Sequence, residues 1–363
     1  MNKKLISLML VMVFVLSVGL AGCSPKNETP ATPDTGNAGS GDADKPVKVG
    51  VVMGALGDMG FMDESFAGLN KAKEDLGIEF DYAEIVDNSE TETQLRMFAD
   101  SEEYDLIMVI SATYVDALKA VAPDYPDQKF SLLDATIEGF DNVHSSRVFD
   151  PEQTFLSGVI AGLVTQDERM PLANKENIIG FVGGMDNPIS RSGAAGFMAG
   201  AKYVNPDVEF IYNIVGDYRD PGKAKEIAMT AYGRGADVIS HNAGASGMGV
   251  FSAAQESNKY VIGSSIATAD PEYSLVTSLK RIDLLIIQEI EAVIDGTWES
   301  GVSLKGIKEG AANYDRTNIN TEIPQDIFDT ADEIRQQYID GKFTLPTDPD
   351  QVNEWSQNNR YTK

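Results

Sequence analysis

The loop after the first predicted strand carries residue types that can bind a polar ligand. Residues 47–77 read VKVGVVMGALGDMGFMDESFAGLNKAKEDLG: a β-branched run, a loop rich in Gly and Met, and a segment typical of a helix. The loop places Asp58, Phe61 and Asp63 at the C-terminal end of a strand, where open α/β sheets bind ligands. Carboxylates accept hydrogen bonds, and an aromatic ring offers a flat apolar face. We therefore predict that this loop forms the lip of a binding site.

Other predicted strands also end in polar or glycine-rich segments. These are Asp134 after the strand at 129–133, GGMDNP at 183–188, HNAGASGMG at 241–249 (with Asn242 and Gly244) and GSS at 263–265 (with Ser265). Free backbone N–H groups and helix N termini at such an edge can bind a ligand. Two sheets whose polar edges face each other would form a cleft.

Residues suited to covalent catalysis or metal binding are few. The segment GASGM at 244–248 is close to a nucleophile elbow, but Met248 takes the place of the final glycine. His144 and His241 are the two histidines, and His241 lies near Ser246 in sequence, so a hydrolase stays open as an alternative. Two His and one Cys do not supply a usual zinc site, and GASGMG is not GxGxxG. We expect no metal, no cofactor and no enzymatic activity.

The charge of the chain limits its partners. The formal net charge is −27, which disfavours binding to nucleic acid or to anionic membrane surfaces, because both repel an acidic protein. With 363 residues, of which 42% are hydrophobic, the chain is long enough for two ordinary domains or one large one, each with a hydrophobic core.

The N-terminal segment has the features of a bacterial lipoprotein signal. Residues 1–4, MNKK, form a short basic n-region, residues 5–20 form an uncharged apolar run, and LAGC at 20–23 resembles a lipobox. We predict a signal peptide at 1–22 and a diacylated Cys23, which would give stable anchoring; an ordinary secreted cysteine or an anchor helix is the alternative. Residues 24–46 contain no Val, Leu, Ile, Met or aromatic residue, so we expect a disordered tether there.

Strand and helix patterns alternate along the rest of the chain. The candidate strands are 48–52, 80–85, 106–110, 129–133, 143–148, 177–182, 209–215, 238–240 and 260–262, and the candidate helices are 62–76, 90–100, 113–122, 151–165, 190–203, 221–233, 247–257 and 281–295. This alternation predicts parallel sheets covered by helices. The pattern runs twice, with a seam near 149–151, and we therefore expect two doubly wound α/β lobes.

Long motifs of the chain resemble the basic membrane protein family, lipid-anchored substrate-binding proteins of ABC importers, many of which are purine-nucleoside receptors. The resemblance covers about residues 47–345 and rests on GDMGFMDESFAGLNKA, YPDQKFSLLDA, FDPEQTFLSGVIAGL, IIGFVGGMDNP, GFMAGAKYVNP, GADVISHNAGASGMGVFSAA, YVIG and TSLK. It implies a type I periplasmic-binding-protein fold, in which two lobes joined by three hinge strands close on a ligand. The expected lobes are 47–149 with about 279–300, and 150–278 with about 301–345, followed by a C-terminal tail at 346–363.

The resemblance also implies roles for single residues. Phe61 matches an aromatic residue that stacks on a base, and Met62 takes the place of an Asn in the family motif. Asp134 matches a strand-end Asp, and Lys280 matches a Lys after a hinge strand. Arg191 and Asn242 resemble sugar-contacting positions of ribose-type binding proteins. The predicted ligand-binding set is Asp58, Phe61, Met62, Asp134, Arg191, Asn242, Gly244, Ser265 and Lys280.

Two departures from the family pattern affect the expected ligand. The family's second aromatic residue falls at Gly193, and the Asp of its IGxD motif falls at Ser265. We therefore expect purine nucleosides to bind more weakly than in relatives with an aromatic sandwich, and space beside Gly193 to admit a bulkier or more polar ligand.

The resulting functional prediction is a lipid-anchored substrate-binding protein of an ABC importer. It would work as a monomer at the extracytoplasmic face of the cell membrane, held there by the lipid on Cys23, and deliver a small polar solute to an ABC permease. A nucleoside is the first expected ligand and a sugar or sugar-like molecule the second. A sensory lipoprotein that presents its ligand to a membrane receptor is the alternative.

Overall fold

The computed structural model describes residues 45–362. The predicted signal peptide, Cys23 and most of the predicted tether lie outside these described residues. Among residues 45–362, no helix combines the length and the apolar character needed to cross a membrane.

Twelve strands form within the described residues. In chain order they are β1 Lys48–Gly54, β2 Glu79–Ile85, β3 Leu106–Ile110, β4 Phe130–Leu133, β5 Val143–Val148, β6 Ile178–Gly183, β7 Glu209–Ile214, β8 Ala236–Asn242, β9 Tyr260–Gly263, β10 Ser274–Lys280, β11 Gly301–Lys305 and β12 Ala312–Asp315. β3 reads LIMVI and is buried at every position, as expected for a parallel strand covered on both faces.

Two sheets of six strands repeat almost the same topology. The first has the order β2-β1-β3-β4-β5-β11 and is parallel throughout. The second has the order β7-β6-β8-β9-β10-β12 and is parallel except for β12. The strand order reverses beside β1 and beside β6, so the loops after these two strands lie at the switch points where such sheets bind ligands.

Ten helices cover the two sheets in the described part of the chain. They are α1 Phe61–Leu76, α2 Thr91–Asp100, α3 Val115–Val121, α4 Asp150–Val164, α5 Pro188–Val204, α6 Pro221–Gly233, α7 Gly247–Ser257, α8 Ile282–Ile294, α9 Gln325–Ile339 and α10 Pro349–Asn358. The start of α5 illustrates the local code: the Asn187 side chain accepts a hydrogen bond from the Ser190 N–H, and Pro188 occupies the first turn.

Glycines let α4 and α5 approach each other closely. A Cβ on Gly158 would lie 2.1 Å from the Phe197 carbonyl oxygen, and one on Gly200 would lie 2.0 Å from the Phe155 carbonyl oxygen. The close contact fixes the position of α4, whose first residue is part of the candidate site described below.

Three connections join the first sheet to the second. They run from β5 into α4 at Phe149, from β10 into α8 at Arg281, and from β11 into β12 through residues 306–311. Two α/β sheets of this kind, joined in this way, have the fold class that the sequence analysis predicted.

The C-terminal part of the chain differs from the sequence expectation. Residues from about 301 onward were placed in the second lobe, but β11 pairs with β5 and therefore extends the first sheet. The expected tail at 346–363 contains α10, which packs against α5. Trp355 of this helix lies with its ring 5.9 Å from that of Tyr203 and donates a 2.6 Å hydrogen bond to the Thr344 carbonyl.

Candidate functional site: a charged cluster at the hinge

A buried lysine lies between two aspartates where the sheets meet. The Lys280 ammonium is 2.7 Å from Asp134 Oδ1 and 3.2 Å from Asp150 Oδ1, and Arg147 pairs with the other oxygen of Asp150. Asp134 follows β4 of the first sheet, Lys280 ends β10 of the second, and Asp150 begins α4 at a hinge connection. The cluster therefore connects both lobes and the hinge.

Burial and the charges of the neighbouring groups act in opposite directions on the pKa values of Asp150 and Lys280. Asp150 has a side chain only 2% exposed, and burial raises the pKa of its carboxyl, an effect that the charges of Lys280 and Arg147 oppose. Burial alone would lower the pKa of Lys280, but Asp134 and Asp150 raise it above its ordinary value. Two carboxylates and two cations cancel, so a neutral ligand can enter without bringing a counter-ion.

Phe61 borders the same space from the first lobe. It is the first residue of α1, and the Lys280 ammonium lies 5.9 Å from the centroid of its ring. This distance is at the outer limit of a cation–π contact. The aromatic face, the ammonium and the Asp134 carboxylate are therefore neighbours.

Asp58, in the loop before α1, and Asp63, in the first turn of α1, both stabilise this loop. The Asp58 carboxylate accepts hydrogen bonds from the N–H groups of Gly60, Met62 and Asp63 at 2.9, 3.2 and 3.2 Å. Asp63 accepts from the N–H groups of two other loop residues, at 2.8 and 2.7 Å. These bonds pre-organise the loop. The carboxylate oxygens of Asp58, which was predicted to contact the ligand, accept hydrogen bonds from the backbone.

Asn242 fills the space that was expected beside Gly193. A Cβ on Gly193 would lie only 2.7 Å from Asn242 Nδ2, so the amide takes the room that a larger side chain would need. Its nitrogen donates a 3.4 Å hydrogen bond to the Ile189 carbonyl. Its oxygen Oδ1 is buried and has no hydrogen-bond partner among the described residues. The expectation of empty space beside Gly193 is therefore wrong.

Comparison with known proteins decides the family. The family model Bmp, described as ABC transporter substrate-binding protein PnrA-like, matches residues 46–342. The chain belongs to the Bmp family. It is thus a substrate-binding component of an ABC transporter, and the family predicted from its motifs is confirmed.

Three similar proteins illustrate the match. A lipoprotein of Pyrococcus abyssi is 30% identical over 285 residues, which cover 74% of this chain and 69% of the relative. The ABC transporter nucleoside-binding protein BmpA of Lactococcus lactis is 28% identical over 376 residues, 96% of this chain and 100% of the relative. A crystal structure of an ABC-transporter solute-binding protein from Aeropyrum pernix superposes with a TM-score of 0.76 at 27% identity, covering 86% and 97% of the two chains.

Arg191 has a different environment from the other predicted residues of this Bmp protein. Its guanidinium makes a bidentate pair with Asp348, at 2.7 and 2.9 Å, and reaches Asp350 at 3.3 Å. Asp348 also caps the N terminus of α10. Arg191 therefore binds the C-terminal segment of its own lobe and is not part of the Lys280 cluster.

Gly244 and Ser265 also have local structural roles. Gly244 adopts a left-handed φ of 57°, and a Cβ there would lie 3.4 Å from Tyr218, which also covers Gly184. Ser265 caps a short 3-10 turn by accepting a hydrogen bond from the Ala267 N–H at 3.3 Å. Met62 packs against Gly54, where a Cβ would lie 2.9 Å from its methyl carbon.

The hydrolase alternative lacks a paired nucleophile and base. Ser246 Oγ donates to the Asp217 carbonyl and accepts from the Asp220 N–H, each at 2.8 Å, so its partners are backbone groups. His241 is buried, and burial lowers its pKa to about 4. Within residues 45–362, no group of three or more His, Cys, Asp or Glu side chains is arranged to hold a metal ion.

Asp150 and Arg147 are the members of the cluster that sequence reasoning missed. The available signal was the FDPE segment at 149–152: an Asp directly before a Pro, at the seam between two runs of strands, marks a helix start at a hinge. For Arg147, nothing in the sequence VHSSRV of β5 indicates a pairing with Asp150.

Proposed function

We propose that this Bmp protein captures a neutral polar solute, with nucleosides as the first candidates, and delivers it to an ABC permease. The cluster of Lys280, Asp134 and Asp150 beside Phe61 carries the proposal. The lysine donates, Asp134 accepts from hydroxyl groups, and Phe61 provides a face for a planar ring. The name of the Lactococcus lactis relative, a nucleoside-binding protein, supports the same class.

A single aromatic face should make purine nucleosides bind more weakly here than in relatives with two. Asn242 occupies the space in which a second ring would stand, and the loss of one stacked face removes about 1 kcal/mol. The Oδ1 atom of Asn242 is buried and has no hydrogen-bond partner among the described residues, which favours a ligand that donates a hydrogen bond there. A sugar or sugar-like ligand is therefore the second candidate.

A thermal-shift screen over nucleosides, free bases and sugars tests the ligand class. A ligand that binds the folded state alone raises stability by RT ln(1 + [L]/Kd), so a ligand at a hundred times its Kd adds about 2.7 kcal/mol. The proposal expects a shift with at least one nucleoside or sugar, and loss of that shift in Asp134→Asn. The control Asp141→Asn changes an exposed residue beyond the cluster and should keep the shift. A screen in which only charged solutes shift the protein would contradict the proposal.

We further propose that the protein acts as a lipid-anchored monomer at the extracytoplasmic face of the membrane. The LAGC segment at 20–23 supports the anchor, as do relatives named lipoproteins. Cys23→Ser should abolish labelling by radioactive fatty acid and release the protein from the membrane fraction, because the acyl chains attach to that sulfur. Persistent labelling of the variant would show that the anchor lies elsewhere. Light scattering of the purified protein should give the mass of one chain.

A further inference from the structure

A chain of hydrogen-bonded polar side chains lies between the first sheet and α8. At its centre is His144, whose Nδ1 is 2.6 Å from Glu289 Oε1 and whose Nε2 is 3.0 Å from the hydroxyl oxygen of Ser303. Glu289 belongs to α8, while His144 and Ser303 belong to the neighbouring strands β5 and β11. A serine, a histidine and a glutamate are therefore joined in the order found in the triads of serine hydrolases.

The partners of His144 decide which of its nitrogens carries the proton. A carboxylate only accepts hydrogen bonds, so Nδ1 donates to Glu289, and Nε2 of the neutral ring is an acceptor. The Ser303 hydroxyl then donates to Nε2. The proton of Ser303 thus points at a free lone pair of the imidazole, which is the arrangement that general-base activation of a serine requires.

The glutamate is itself held in place. Its Oε2 accepts a 2.5 Å hydrogen bond from the hydroxyl of Ser131 on β4, and Ser131 accepts from the indole N–H of Trp298 at 3.4 Å. The side chain of Glu289 is 4% exposed, so water does not compete strongly for these bonds. Such a buried, fixed carboxylate holds the ring of His144 in one orientation and one tautomer.

A cavity gives small molecules access to the serine and the histidine. Both residues line a space of about 270 Å³, and the side chain of His144 is 19% exposed. This volume is just below the range of about 300–1,000 Å³ that is usual for ligand pockets, so it suits a small substrate. Trp298 contributes an apolar wall.

The same cavity contains a cation. Lys305 lines it and follows Ser303 by two residues on β11, so the two side chains lie on the same face of the strand. An ammonium group on this face favours the negative charge that develops on a carbonyl oxygen when a nucleophile attacks.

We propose that Ser303, His144 and Glu289 form a second functional site that hydrolyses small carboxylic esters. Ser303 Oγ attacks the ester carbonyl carbon while its proton passes to His144 Nε2. The leaving alkoxide takes that proton and departs as the alcohol, and an acyl group stays on Ser303. Water then attacks the acyl group by the same route, which releases the carboxylic acid and restores the serine. Ser303 and His144 are the catalytic residues, and Glu289 is a positioning residue.

This site is separate from the cluster at the hinge. It shares no residue with the group of Lys280, Asp134 and Asp150, and it therefore does not rest on the proposed function. It uses the histidine that is paired with a serine side chain, whereas His241 has no such partner among the described residues. The sequence analysis did not anticipate it, because His144 lies 145 residues from Glu289 and 159 from Ser303.

Hydrolysis of p-nitrophenyl acetate by the full protein tests the proposal. We expect release of p-nitrophenolate and an acetyl group on Ser303, detected by mass spectrometry of peptides after rapid acid quenching. Ser303→Ala should abolish both, and His144→Ala should lower the rate by about a hundredfold or more. Glu289→Gln should lower kcat with little change in KM, because the cavity stays while the tautomer of His144 is no longer fixed.

Ser300→Ala is the matched control, since Ser300 is exposed and lies three residues before Ser303. It should keep the rate and the acetylation of the unchanged protein. Ser303→Ala removes one oxygen from an edge strand, so its circular dichroism spectrum and melting temperature should match those of the control. The absence of hydrolysis by the unchanged protein, an equal rate in Ser303→Ala, or acetyl groups on lysines alone would overturn the site.

Discussion

Two basic residues that the sequence analysis predicted as ligand contacts, Lys280 and Arg191, form ion pairs in different environments. Lys280 joins Asp134 and Asp150 between the lobes, and its side chain is 10% exposed. Arg191 joins Asp348 within the second lobe, and its side chain is 36% exposed. The first pair lies where the lobes and the hinge meet, which is where we propose that the ligand binds. The second attaches α10 to α5 and does not need a ligand.

The difference teaches that the partner of a charged residue decides its role more than its position along a motif does. Asp134 has a side chain 13% exposed and a left-handed φ of 66°, a conformation that holds its carboxylate at a strand end facing the hinge. Asp348 is held instead as the cap of α10. A ligand that separates Asp134 from Lys280 would gain the carboxylate as an acceptor and the ammonium as a donor. Displacing Asp348 from Arg191 would in addition remove the N-terminal cap of α10.

Removing the buried cation should have the largest effect. Lys280→Met leaves Asp134 and Asp150 facing each other with Arg147 as the remaining cation, and breaking a buried pair in this way costs about 3 kcal/mol or more. Urea unfolding should show this loss in the free energy of unfolding. Lys280→Arg, which keeps the charge, should recover part of it. A loss below about 1 kcal/mol for Lys280→Met would show that the cluster is not a buried ionic unit.

Removing the exposed cation should have a much smaller effect. Arg191→Met deletes a half-exposed pair that solvent already screens, so the melting temperature should fall by about 2 °C or less. The affinity for the ligand returned by the screen should not change, because Asp348 and not the ligand holds the guanidinium. A tenfold loss of affinity in this variant would restore Arg191 to the binding site and remove the contrast.

The elements of the fold were largely predictable because buried parallel strands are apolar runs. The strands at 106–110 and 143–148 and the helices at 221–233 and 247–257 have the predicted bounds. β11 was missed because it is an edge strand, GVSLK, in which Val302 and Leu304 are exposed, so it lacks the buried pattern.

The candidate site residues were easiest to predict beside the ends of strands and harder to predict elsewhere. Phe61, Asp134 and Lys280 are neighbours because α1 begins, and β4 and β10 end, where the two sheets meet. The pairing of Arg191 with Asp348, 157 residues away, depends on where α10 packs, and no local pattern reports that. The filling of the space at Gly193 by Asn242 depends on the separation of α5 and β8, which is likewise a tertiary property.

The most direct test of the account compares the ligand affinities of Asp134→Asn and Asp348→Asn by calorimetric titration. Each variant removes the carboxylate partner of one basic residue, and each is titrated with inosine, guanosine, adenosine and the best ligand from the thermal screen. The account predicts that Asp134→Asn weakens the best ligand by about tenfold to a hundredfold, as expected for the loss of a charge-assisted hydrogen bond. Asp348→Asn should leave the affinity unchanged. Equal affinity in the Asp134→Asn variant, or a comparable loss in Asp348→Asn, would contradict the claim that the ligand binds at the Lys280 cluster.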